Sequence, residues 1–507
     1  MKNGNLTRSG IQFEEPLLFE NSTPGRKGCS FPTWKGKKHD IPPALARRQP
    51  ARLPEISEPE VIRHYTRLSQ WNFSIDTNFY PLGSCTMKYN PRLNEEVARY
   101  TGFAHVHPLQ PQETVQGCLQ LMYELERYLA EISGLSAVTL QPAAGAHGEL
   151  TGILIMQAYL QSKGEKRRKI LIPDSAHGTN PATAAFGGFE VVQIRTGRDG
   201  ILTPEVLREY MKPDVAGLML TNPNTLGLFE RQILEVTGIV HEGGGLVYGD
   251  GANMNALMGK AKPGDLGIDI LHFNLHKTFT TPHGGGGPGA GPVAVKKFLE
   301  PFLPVPRINM LPGGGAASAG GGPASGWSGA PTYALDFDQA QSIGRVRAFF
   351  GNFGMLVRAY TYIREMGPDG LQRASELAVL NANYIKARLL PHYHLPFGEG
   401  TLHEAVFSDK KQKDFHVSTL DIAKRLIDYG YHPPTIYFPL IVFGALMIEP
   451  TETETKSTLD QFCDAMIAIA QEAQTDPEKL QKAPHLSGHR RLDEAKAARE
   501  LKVRYQF

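Results

Sequence analysis

Short apolar runs alternate with helical stretches across the middle of the chain, from about residue 134 to residue 295. Residues 149–160 and 205–211 read as helices, and the apolar runs around them favour strands. These runs are residues 169–172, 191–194, 217–221, 245–248, 269–273 and 292–295. Continuous apolar strands separated by helices are typical of an α/β fold whose largely parallel sheet is covered on both faces.

The residues before this region predict first an arm and then helices. Residues 1–60 are rich in proline, glycine and basic side chains, which favours an extended N-terminal arm. Residues 61–133 are predicted to be a helical segment. Its strongest apolar face consists of Leu119, Met122, Leu125, Leu129 and Ile132. The large α/β domain is then expected over residues 134–330.

A Gly/Ala/Ser tract at residues 313–329 predicts a flexible connection near the end of that domain. Residues 331–475 are expected to form connecting helices and a small C-terminal α+β domain. The predicted elements are helices over 342–364 and 370–389, strands over 404–407 and 436–448, and a helix after residue 453. Residues 476–507 complete the chain as a charged, partly helical tail.

Composition narrows the class of protein. A chain of 507 residues is too long for one compact core. Its 53 basic and 51 acidic side chains leave a net charge of +2, which does not predict a nucleic-acid or membrane surface. The longest apolar stretch, residues 436–448, is interrupted by Pro439 and Gly444 and is too short to span a bilayer. The polar N-terminus lacks an apolar signal segment, so we expect a cytoplasmic protein.

The four cysteines stand far apart and form no CxxC pair, which does not fit a disulfide framework or a thiolate zinc site. Cys118 and Cys463 fall in helical apolar patterns and are expected in the core. Cys85 lies in the loop-like segment 82–88. It is either a buried small residue or a neighbour of an active site.

The pair most informative about chemistry is Asp250, in Asp250-Gly-Ala-Asn253, and Lys277, in Asn274-Leu-His-Lys277. A carboxylate can hold a pyridinium nitrogen, and a lysine can form a Schiff base with pyridoxal phosphate. A lysine amine becomes a nucleophile only after losing its proton, which the apolar run before Lys277 would favour through burial. Taken singly, Asp250 is better explained as a turn residue and Lys277 as an exposed lysine, so the pair needs support from the rest of the sequence.

Other polar segments occur where ligands of parallel sheets bind, at the carboxyl ends of strands. The small residues Ala144, Gly145 and Ala146 precede a helix and would leave backbone N–H groups free for a phosphate. His177 could stack on an aromatic ring, and the segment containing Asn222 offers hydrogen bonds to a phenolic oxygen. Five such loops in one alternating region favour a functional site.

Competing motifs are weaker. Gly284-x-Gly286-x-x-Gly289 matches a dinucleotide fingerprint, but it precedes a strand-like segment where that motif requires a helix. No phosphate-binding GxxxxGK[ST] sequence is present. His272, His276 and His283 could be metal ligands, but no carboxylate accompanies them at ligand spacing and His272 lies in an apolar strand. We therefore predict no metal.

Several longer segments resemble the P-protein family of the glycine cleavage system. They are Phe79-Tyr-Pro-Leu-Gly-Ser-Cys-Thr-Met-Lys-Tyr-Asn90, Ser175-Ala-His-Gly-Thr-Asn-Pro181, Asp250-Gly-Ala-Asn-Met-Asn255, Leu275-His-Lys-Thr-Phe279, Pro282-His-Gly-Gly-Gly-Gly-Pro288 and Arg490-Arg-Leu-Asp-Glu494 with Lys496-Ala-Ala-Arg499. The resemblance runs from about residue 55 to the C-terminus. The tract at 313–329 departs from the charged connection expected there.

This resemblance implies a fold-type I pyridoxal-phosphate enzyme. In single-chain members, the segment matching residues 82–88 opens the second half of a longer chain. The present sequence is therefore expected to be subunit 2 of the split type, with two copies each of subunits 1 and 2. The implied substrate is glycine, and the implied acceptor is the lipoylated H-protein.

The resemblance also implies roles for single residues. Lys277 would hold the cofactor as a Schiff base, and Asp250 would keep the pyridine nitrogen protonated. His177 and Ala252 would contact the two ring faces, and the backbone around Gly145 would bind the phosphate. His276 would either assist proton transfer or pack against the phosphate.

By the same resemblance, glycine would lose its carboxylate as carbon dioxide, and the remaining aminomethyl group would pass to a lipoyl sulfur. Two alternatives stay open. A different pyridoxal-dependent amino-acid decarboxylase or lyase would need no lipoyl partner. A non-catalytic scaffold subunit would retain the fold but would not need Lys277.

Overall fold

The structure, a computed structural model, describes residues 15–29, 31–32, 35–37, 40–49, 51–283, 289–311 and 331–505. The chain divides into two compact units. One consists of Met1–Asn78 together with Ala483–Phe507, and the other of Phe79–Lys482. The finer division at residues 133, 330 and 475 stays a prediction, and the tract 313–329 lies outside the described residues.

The described residues form helices in both units. The α-helices are α1 (Glu58–Ser69), α2 (Arg92–Ala98), α3 (Thr101–Ala104), α4 (Gln116–Ser133), α5 (Gly145–Ser162), α6 (Thr179–Phe186), α7 (Pro204–Tyr210), α8 (Ile233–Glu242), α9 (Phe353–Leu389), α10 (Thr419–Asp428), α11 (Lys456–Thr475), α12 (Pro477–Gln481) and α13 (Glu494–Arg499). Short 3-10 helices span Gln112–Thr114, Met254–Ala256, Lys297–Phe302, Asp409–Lys411 and Lys413–Phe415.

Strands of the larger unit form three sheets. They are β1 (Ala137–Thr139), β2 (Lys169–Pro173), β3 (Glu190–Ile194), β4 (Val215–Thr221), β5 (Leu246–Gly251), β6 (Ile270–Phe273), β7 (Val293–Val295), β8 (Arg307–Leu311), β9 (Thr332–Asp336), β10 (Ala405–Ser408), β11 (Thr435–Ile436) and β12 (Ala445–Ile448). All six apolar runs predicted as strands are strands, within a few residues at each end.

The main sheet has seven strands in the order β1-β7-β6-β5-β4-β2-β3. Strands β3, β2, β4, β5 and β6 pair in parallel, whereas β7 pairs antiparallel with both β6 and β1. Parallel neighbours need a crossover, and the intervening helices provide it. The predicted α/β class with a largely parallel sheet is confirmed.

Both faces of this sheet are buried, which explains the continuous apolar runs. Successive side chains of a strand point to opposite faces. Leu218 and Val247 accordingly belong to one buried cluster, and their neighbours Met219 and Tyr248 belong to another on the opposite side. Helices of both layers therefore hold the sheet in place.

A smaller antiparallel sheet, in the order β10-β12-β11, forms the C-terminal part of this unit. Buried residues of β10 and β12 pack with α11 in one apolar cluster. The prediction of one strand over residues 436–448 is wrong. Between β11 and β12 the chain makes a loop that exposes Leu440 by 84% and Phe443 by 88%, so the apolar composition there does not mean burial.

The helix predicted over residues 342–364 is shorter than expected. Helix α9 begins only at Phe353, and residues 342–352 are irregular, with bends over 346–350 and a turn at 351–352. Gly367 has a positive φ of 61° ahead of Pro368, so two helices meet there at a kink. Strand β1 and the hairpin β8–β9 were not predicted. Within the described residues, no helix has both the length and the apolar character that a bilayer crossing requires.

The close packing of α5 against the sheet depends on Gly152. A Cβ atom there would lie 2.5 Å from Cε2 of Tyr248 and 3.0 Å from Cγ2 of Ile270. We expect Gly152→Ala to lower the free energy of unfolding by about 1–3 kcal/mol, because overpacking shifts the helix from the sheet. Denaturant unfolding measures this change.

Gly238, inside α8, is the matched control, because a Cβ there meets nothing within 4 Å. Gly238→Ala should be neutral or stabilising by up to about 1 kcal/mol, through helix propensity. Equal effects of the two substitutions would contradict the close approach of α5 to β5 and β6.

Candidate active site

The candidate site lies where the central strands end. The register pairs Thr221 of β4 with Asp250 of β5, and Asp250 with His272 of β6. Parallel strands present their carboxyl ends at one edge, so these three side chains meet there. They line a cavity of about 180 Å³. Its remaining lining residues are Ser84, Ala144, Gly145, Ala146, Glu149, His177, Thr179, Thr225, Ala252, Asn253, Asn274, His276 and Lys277.

Asp250 is buried and accepts hydrogen bonds through both carboxylate oxygens. Oδ1 accepts from the Ala252 backbone N–H at 2.9 Å, and Oδ2 accepts from Nδ2 of Asn180 at 3.0 Å. Burial alone would raise the pKa of Asp250. The neighbouring His272 and Lys277, together with these hydrogen bonds, outweigh burial and hold the pKa below its usual value. Asp250 is therefore an ionised carboxylate at neutral pH.

Glu149, on the first turns of α5, is a second buried carboxyl beside Asp250. Nδ2 of Asn180 donates to Glu149 Oε2 at 2.9 Å as well as to Asp250, so one amide bridges the two groups. Burial and the charge of Asp250 raise the pKa of Glu149 to about 8. Two adjacent buried carboxylates are costly, so Glu149 keeps its proton near neutral pH.

Lys277 follows β6 and is half-buried on the same cavity. His276 beside it packs edge-on against His283, with ring centroids 5.1 Å apart. Burial lowers the pKa of His276 to about 3 and that of His283 to about 4. Both imidazoles are thus neutral at pH 7, and Nδ1 of His276 has no hydrogen-bond partner among the described residues.

The N-terminus of α5 forms another wall. Ala144 is the residue preceding the helix, and among the described residues no side chain caps the first backbone N–H groups. A Cβ on Gly145 would lie 2.4 Å from Nδ2 of Asn274, so only glycine lets this turn approach that side chain. Free N–H groups at a helix N-terminus favour an anion such as a phosphate.

His177 follows β2 and lines the same cavity as this turn. Its Nδ1 pairs with Oγ1 of Thr179 at 2.9 Å, and its ring packs edge-on against Phe438 at 5.4 Å. Burial lowers the pKa of His177, so its ring is neutral and suited to stacking. Ala252 is buried on the same cavity.

The structure brings together eight of the nine residues predicted for the site. The ninth, Asn222, does not line the cavity. Its Oδ1 accepts from the Glu230 backbone N–H at 3.1 Å, and its Nδ2 is buried without a described partner. Thr221, one residue earlier, lines the cavity and has an unpartnered Oγ1. Within the predicted segment, Thr221 rather than Asn222 therefore faces the cavity.

Sequence reasoning missed several polar lining residues. Glu149, Thr179, Asn253 and Asn274 were given no role of their own. Thr179, Asn253 and Asn274 nevertheless lie within the segments quoted for the site, and Glu149 follows Ala146 by three residues. His272 was expected in the strand core. It does lie in β6, but Nε2 pairs with Oδ1 of Asn274 at 2.7 Å and Nδ1 pairs with the Tyr248 hydroxyl at 2.7 Å. Carboxylates of Glu149 and Asp250 also lie near it, which linear spacing did not reveal.

Residues 82–86, here called the 82–86 loop, supply Ser84 to the cavity. Ser84 and Thr86 adopt left-handed backbone conformations, with φ values of 62° and 47°. Such conformations cost energy for residues with a Cβ and persist only when neighbours hold them. Between them Cys85 is partly buried, and burial raises the pKa of its thiol.

The architecture is shared with other solved structures. Glycine decarboxylase (P-protein) of the glycine cleavage system, in inhibitor-bound form, matches with a TM-score of 0.69 at 20% identity, over 85% of this chain and 93% of that chain. The cysteine desulfurase CsdA from Escherichia coli matches with a TM-score of 0.58 at 16% identity, over 80% and 97% of the two chains. The fold is therefore that of fold-type I pyridoxal-phosphate enzymes.

Sequence comparison identifies the family. The model for the glycine cleavage system P-protein matches residues 37–308, and the model for the glycine dehydrogenase C-terminal domain matches residues 374–485. A probable glycine dehydrogenase (decarboxylating) subunit 2 of Halalkalibacterium halodurans is 55% identical, over 97% of this chain and 98% of that protein. Its counterpart in Caldanaerobacter subterraneus is 54% identical, over 96% and 98%. The chain belongs to the glycine cleavage system P-protein family.

The raised pKa of Glu149 makes stability depend on pH. Because the folded carboxyl holds its proton to about pH 8, whereas an unfolded one releases it near 4.5, stability should fall as pH rises between these values. The slope from one such group is at most about 1.4 kcal/mol per pH unit. Glu149→Gln should flatten the curve in denaturant unfolding of cofactor-free protein.

Glu113→Gln, at an exposed position, serves as the control and should leave the slope unchanged. Parallel stability curves for wild type and Glu149→Gln from pH 5 to 8 would show that Glu149 is ionised in the folded protein.

Proposed function

We propose that this chain is subunit 2 of a glycine dehydrogenase (decarboxylating). It decarboxylates glycine with pyridoxal phosphate and transfers the aminomethyl group to the lipoyl disulfide of an H-protein, releasing carbon dioxide. The observation that carries the proposal is one cavity shared by Asp250, Lys277 and the uncapped N-terminus of α5, in a chain of this family.

The residues present fit pyridoxal phosphate by several independent features. An ionised buried carboxylate suits a protonated ring nitrogen, and the free N–H groups of α5 suit a phosphate. The unpartnered buried polar atoms Thr221 Oγ1 and His276 Nδ1 belong to residues that line the same cavity, where a polar ligand could pair with them. We therefore assign Lys277 as the residue that would hold the cofactor covalently.

The cofactor supplies an electron sink for the electron pair that the departing carboxylate leaves behind. Asp250 would sustain that role by holding a proton at the ring nitrogen, and it can do so because Asn180 and the Ala252 backbone fix its carboxylate. His177 and Ala252 would enclose the ring, and Gly145 with Ala144 and Ala146 would contact the phosphate.

His276 would act as a neutral group. Its lowered pKa leaves little imidazolium to donate a proton and also makes the neutral ring a weak base, so packing against the phosphate fits better than proton transfer beside the Lys277 amine. Asn222 would contribute only indirectly, by holding the turn that presents Thr221. Its Oδ1 is already engaged by the Glu230 backbone N–H.

Subunit 1 and a lipoylated H-protein are the proposed partners, with two copies of each subunit in the complete enzyme. The relatives named subunit 2 support the first partner, because a second subunit implies a first. We also propose a cytoplasmic location. The four cysteines, all described, are free thiols, as a reducing compartment would keep them.

Covalent capture tests the assigned lysine. Borohydride reduction of the protein loaded with pyridoxal phosphate should link the cofactor to Lys277, and peptide mass spectrometry should locate the link there. Lys277→Ala should bind the cofactor without the visible absorbance of the wild type. Lys296→Ala is the control, because Lys296 lies on a different strand end and should leave the link intact. Attachment at another lysine would overturn the assignment.

Carbon exchange tests the reaction and the partners. Exchange of label between bicarbonate and the glycine carboxyl should require this chain, subunit 1 and lipoylated H-protein together, since the acceptor is part of the reaction. Omitting H-protein, or supplying it without lipoate, should lower the rate by at least about tenfold, a loss of roughly 1.4 kcal/mol in transition-state stabilisation. Undiminished exchange without both partners would favour a simple decarboxylase or lyase.

A further inference from the structure

A second group of buried side chains lies behind the 82–86 loop. It consists of His403, Glu404 and Glu449, each fully buried, with donor and acceptor atoms within 4.8 Å of one another. None of the three lines the cavity of Lys277. The charge of Lys277 nevertheless acts on all three, so the group lies close to the site. The roles assigned above do not use it.

Glu404 has one engaged and one unengaged oxygen. Oε2 accepts the Ser84 backbone N–H at 2.8 Å. Oε1 has no hydrogen-bond partner among the described residues, yet lies 3.5 Å from Nε2 of His403. Ser84 is the loop residue that lines the cavity, so this carboxyl reaches the site through one backbone bond.

Glu449 is engaged on both oxygens. Oε2 accepts the Thr86 backbone N–H at 2.9 Å. Oε1 accepts the Thr86 hydroxyl at 2.6 Å and Nδ2 of Asn255 at 3.0 Å. Three donors converging on one carboxyl stabilise its ionised form. Within the described part of the chain, Glu404 receives one such bond, so its ionised form is stabilised less than that of Glu449.

Charge at this place is unbalanced if both carboxyls are ionised. Burial raises the pKa values of both groups, and the charge of Glu449 raises that of Glu404 further. The facing titratable groups are Lys277, Cys85 and His403. Burial lowers the pKa of His403 to about 3, so this ring is neutral and brings no compensating charge. An unpaired buried carboxylate is expensive, and a retained proton removes that cost.

We propose that Glu404 and Glu449 are positioning residues that clamp the 82–86 loop against the catalytic cavity, with Glu449 ionised and Glu404 carrying a proton that it directs toward Nε2 of His403. The two bonds fall on Ser84 and Thr86, the two residues whose left-handed backbone needs support. The clamp itself is independent of the proposed reaction, and only its effect on catalysis rests on that proposal.

Glutamine substitution distinguishes the two glutamates. At position 404 the amide oxygen can accept from Ser84, and the NH₂ group can donate to His403 as the protonated acid does. At position 449 an NH₂ group would face donors from Thr86 and Asn255. Amide hydrogen exchange of a peptide covering the loop, in the full chain, should therefore be unchanged in Glu404→Gln. In Glu449→Gln it should be faster by roughly tenfold, because donors lose their acceptor.

Glu404→Ala extends this series, because it removes the acceptor for Ser84 without offering a replacement. It should also raise exchange in the loop by roughly tenfold. If Glu404→Gln opened the loop as much as Glu404→Ala, Glu404 would be ionised and the proposed arrangement would be wrong. Unchanged exchange in all three variants would show that the clamp does not hold the loop.

Infrared spectroscopy tests the proton directly. The wild type at neutral pH should have a carbonyl band of a protonated carboxyl that Glu404→Gln lacks and Glu449→Gln retains. Glu126→Gln is the matched control, because Glu126 is also buried, with a pKa raised to about 8, but sits on α4. It should remove its own band and leave loop exchange unchanged. A band that persists in Glu404→Gln and disappears in Glu449→Gln would reverse the assignment.

The same three side chains also offer the donor set of a divalent cation, which would replace the proton. Metal analysis of the purified full chain should find no stoichiometric ion dependent on His403. A stoichiometric ion lost in His403→Ala would overturn the proposal.

For catalysis, Glu404→Gln should retain glycine exchange within about threefold, whereas Glu449→Gln should lower kcat more than it raises KM. If the wild type showed no glycine exchange, the proposed function would be wrong, and the proposed clamp would be unaffected.

Discussion

The parallel register of β4, β5 and β6 is the constraint on which the site depends. It aligns Thr221, Asp250 and His272 at one sheet edge. A slip of one residue in β5 would turn Asp250 to the opposite face of the sheet, away from its donors Asn180 and the Ala252 backbone N–H. The sheet holds this register because both its faces are packed, so side chains of opposite layers fix each strand. Packing of the core thus determines how the side chains of the candidate site are positioned.

The second constraint is electrostatic: the charge of each ionisable group that lines the cavity affects the protonation of its neighbours. Lys277 is the only lysine or arginine among the described residues that line it, and two carboxyl groups, those of Glu149 and Asp250, line it as well. Asp250 stays ionised because neighbouring charges and hydrogen-bond donors outweigh its burial. Glu149 stays protonated because burial and the charge of Asp250 both raise its pKa. The histidines nearby are neutral through burial. One fixed anion and one amine, surrounded by neutral groups, leave little to compete for a phosphate or a ring nitrogen.

The sequence predicted the main sheet and most of the site because both follow local rules. Continuous apolar runs mark strands buried on both faces, and the loops after them must converge, so Asp250 and Lys277 could be brought together without coordinates. The predictions that were wrong or missing concern features that depend on tertiary contacts. Residues 436–448 are apolar enough for a strand, but an exposed loop interrupts them. Asn222 and Thr221 are adjacent, and only the turn decides which one faces the cavity. Glu404 and Glu449 lie far from the loop in sequence and carried no motif.

The 82–86 loop, which forms one wall of the cavity, is hydrogen-bonded to the small antiparallel sheet. The Gly83 backbone N–H donates to the Met447 carbonyl, Leu82 forms a bridge with Ile448, and the Thr435 hydroxyl donates to the Gly83 carbonyl. Glu404 and Glu449, at the ends of β10 and β12, add two more bonds. Because these bonds all lead to one sheet, a displacement of that sheet would carry Ser84 with it. The opposite walls, from α5 to Lys277, are anchored in the large sheet. The cavity therefore joins two separately packed cores, and its width depends on their relative position rather than on any single side chain.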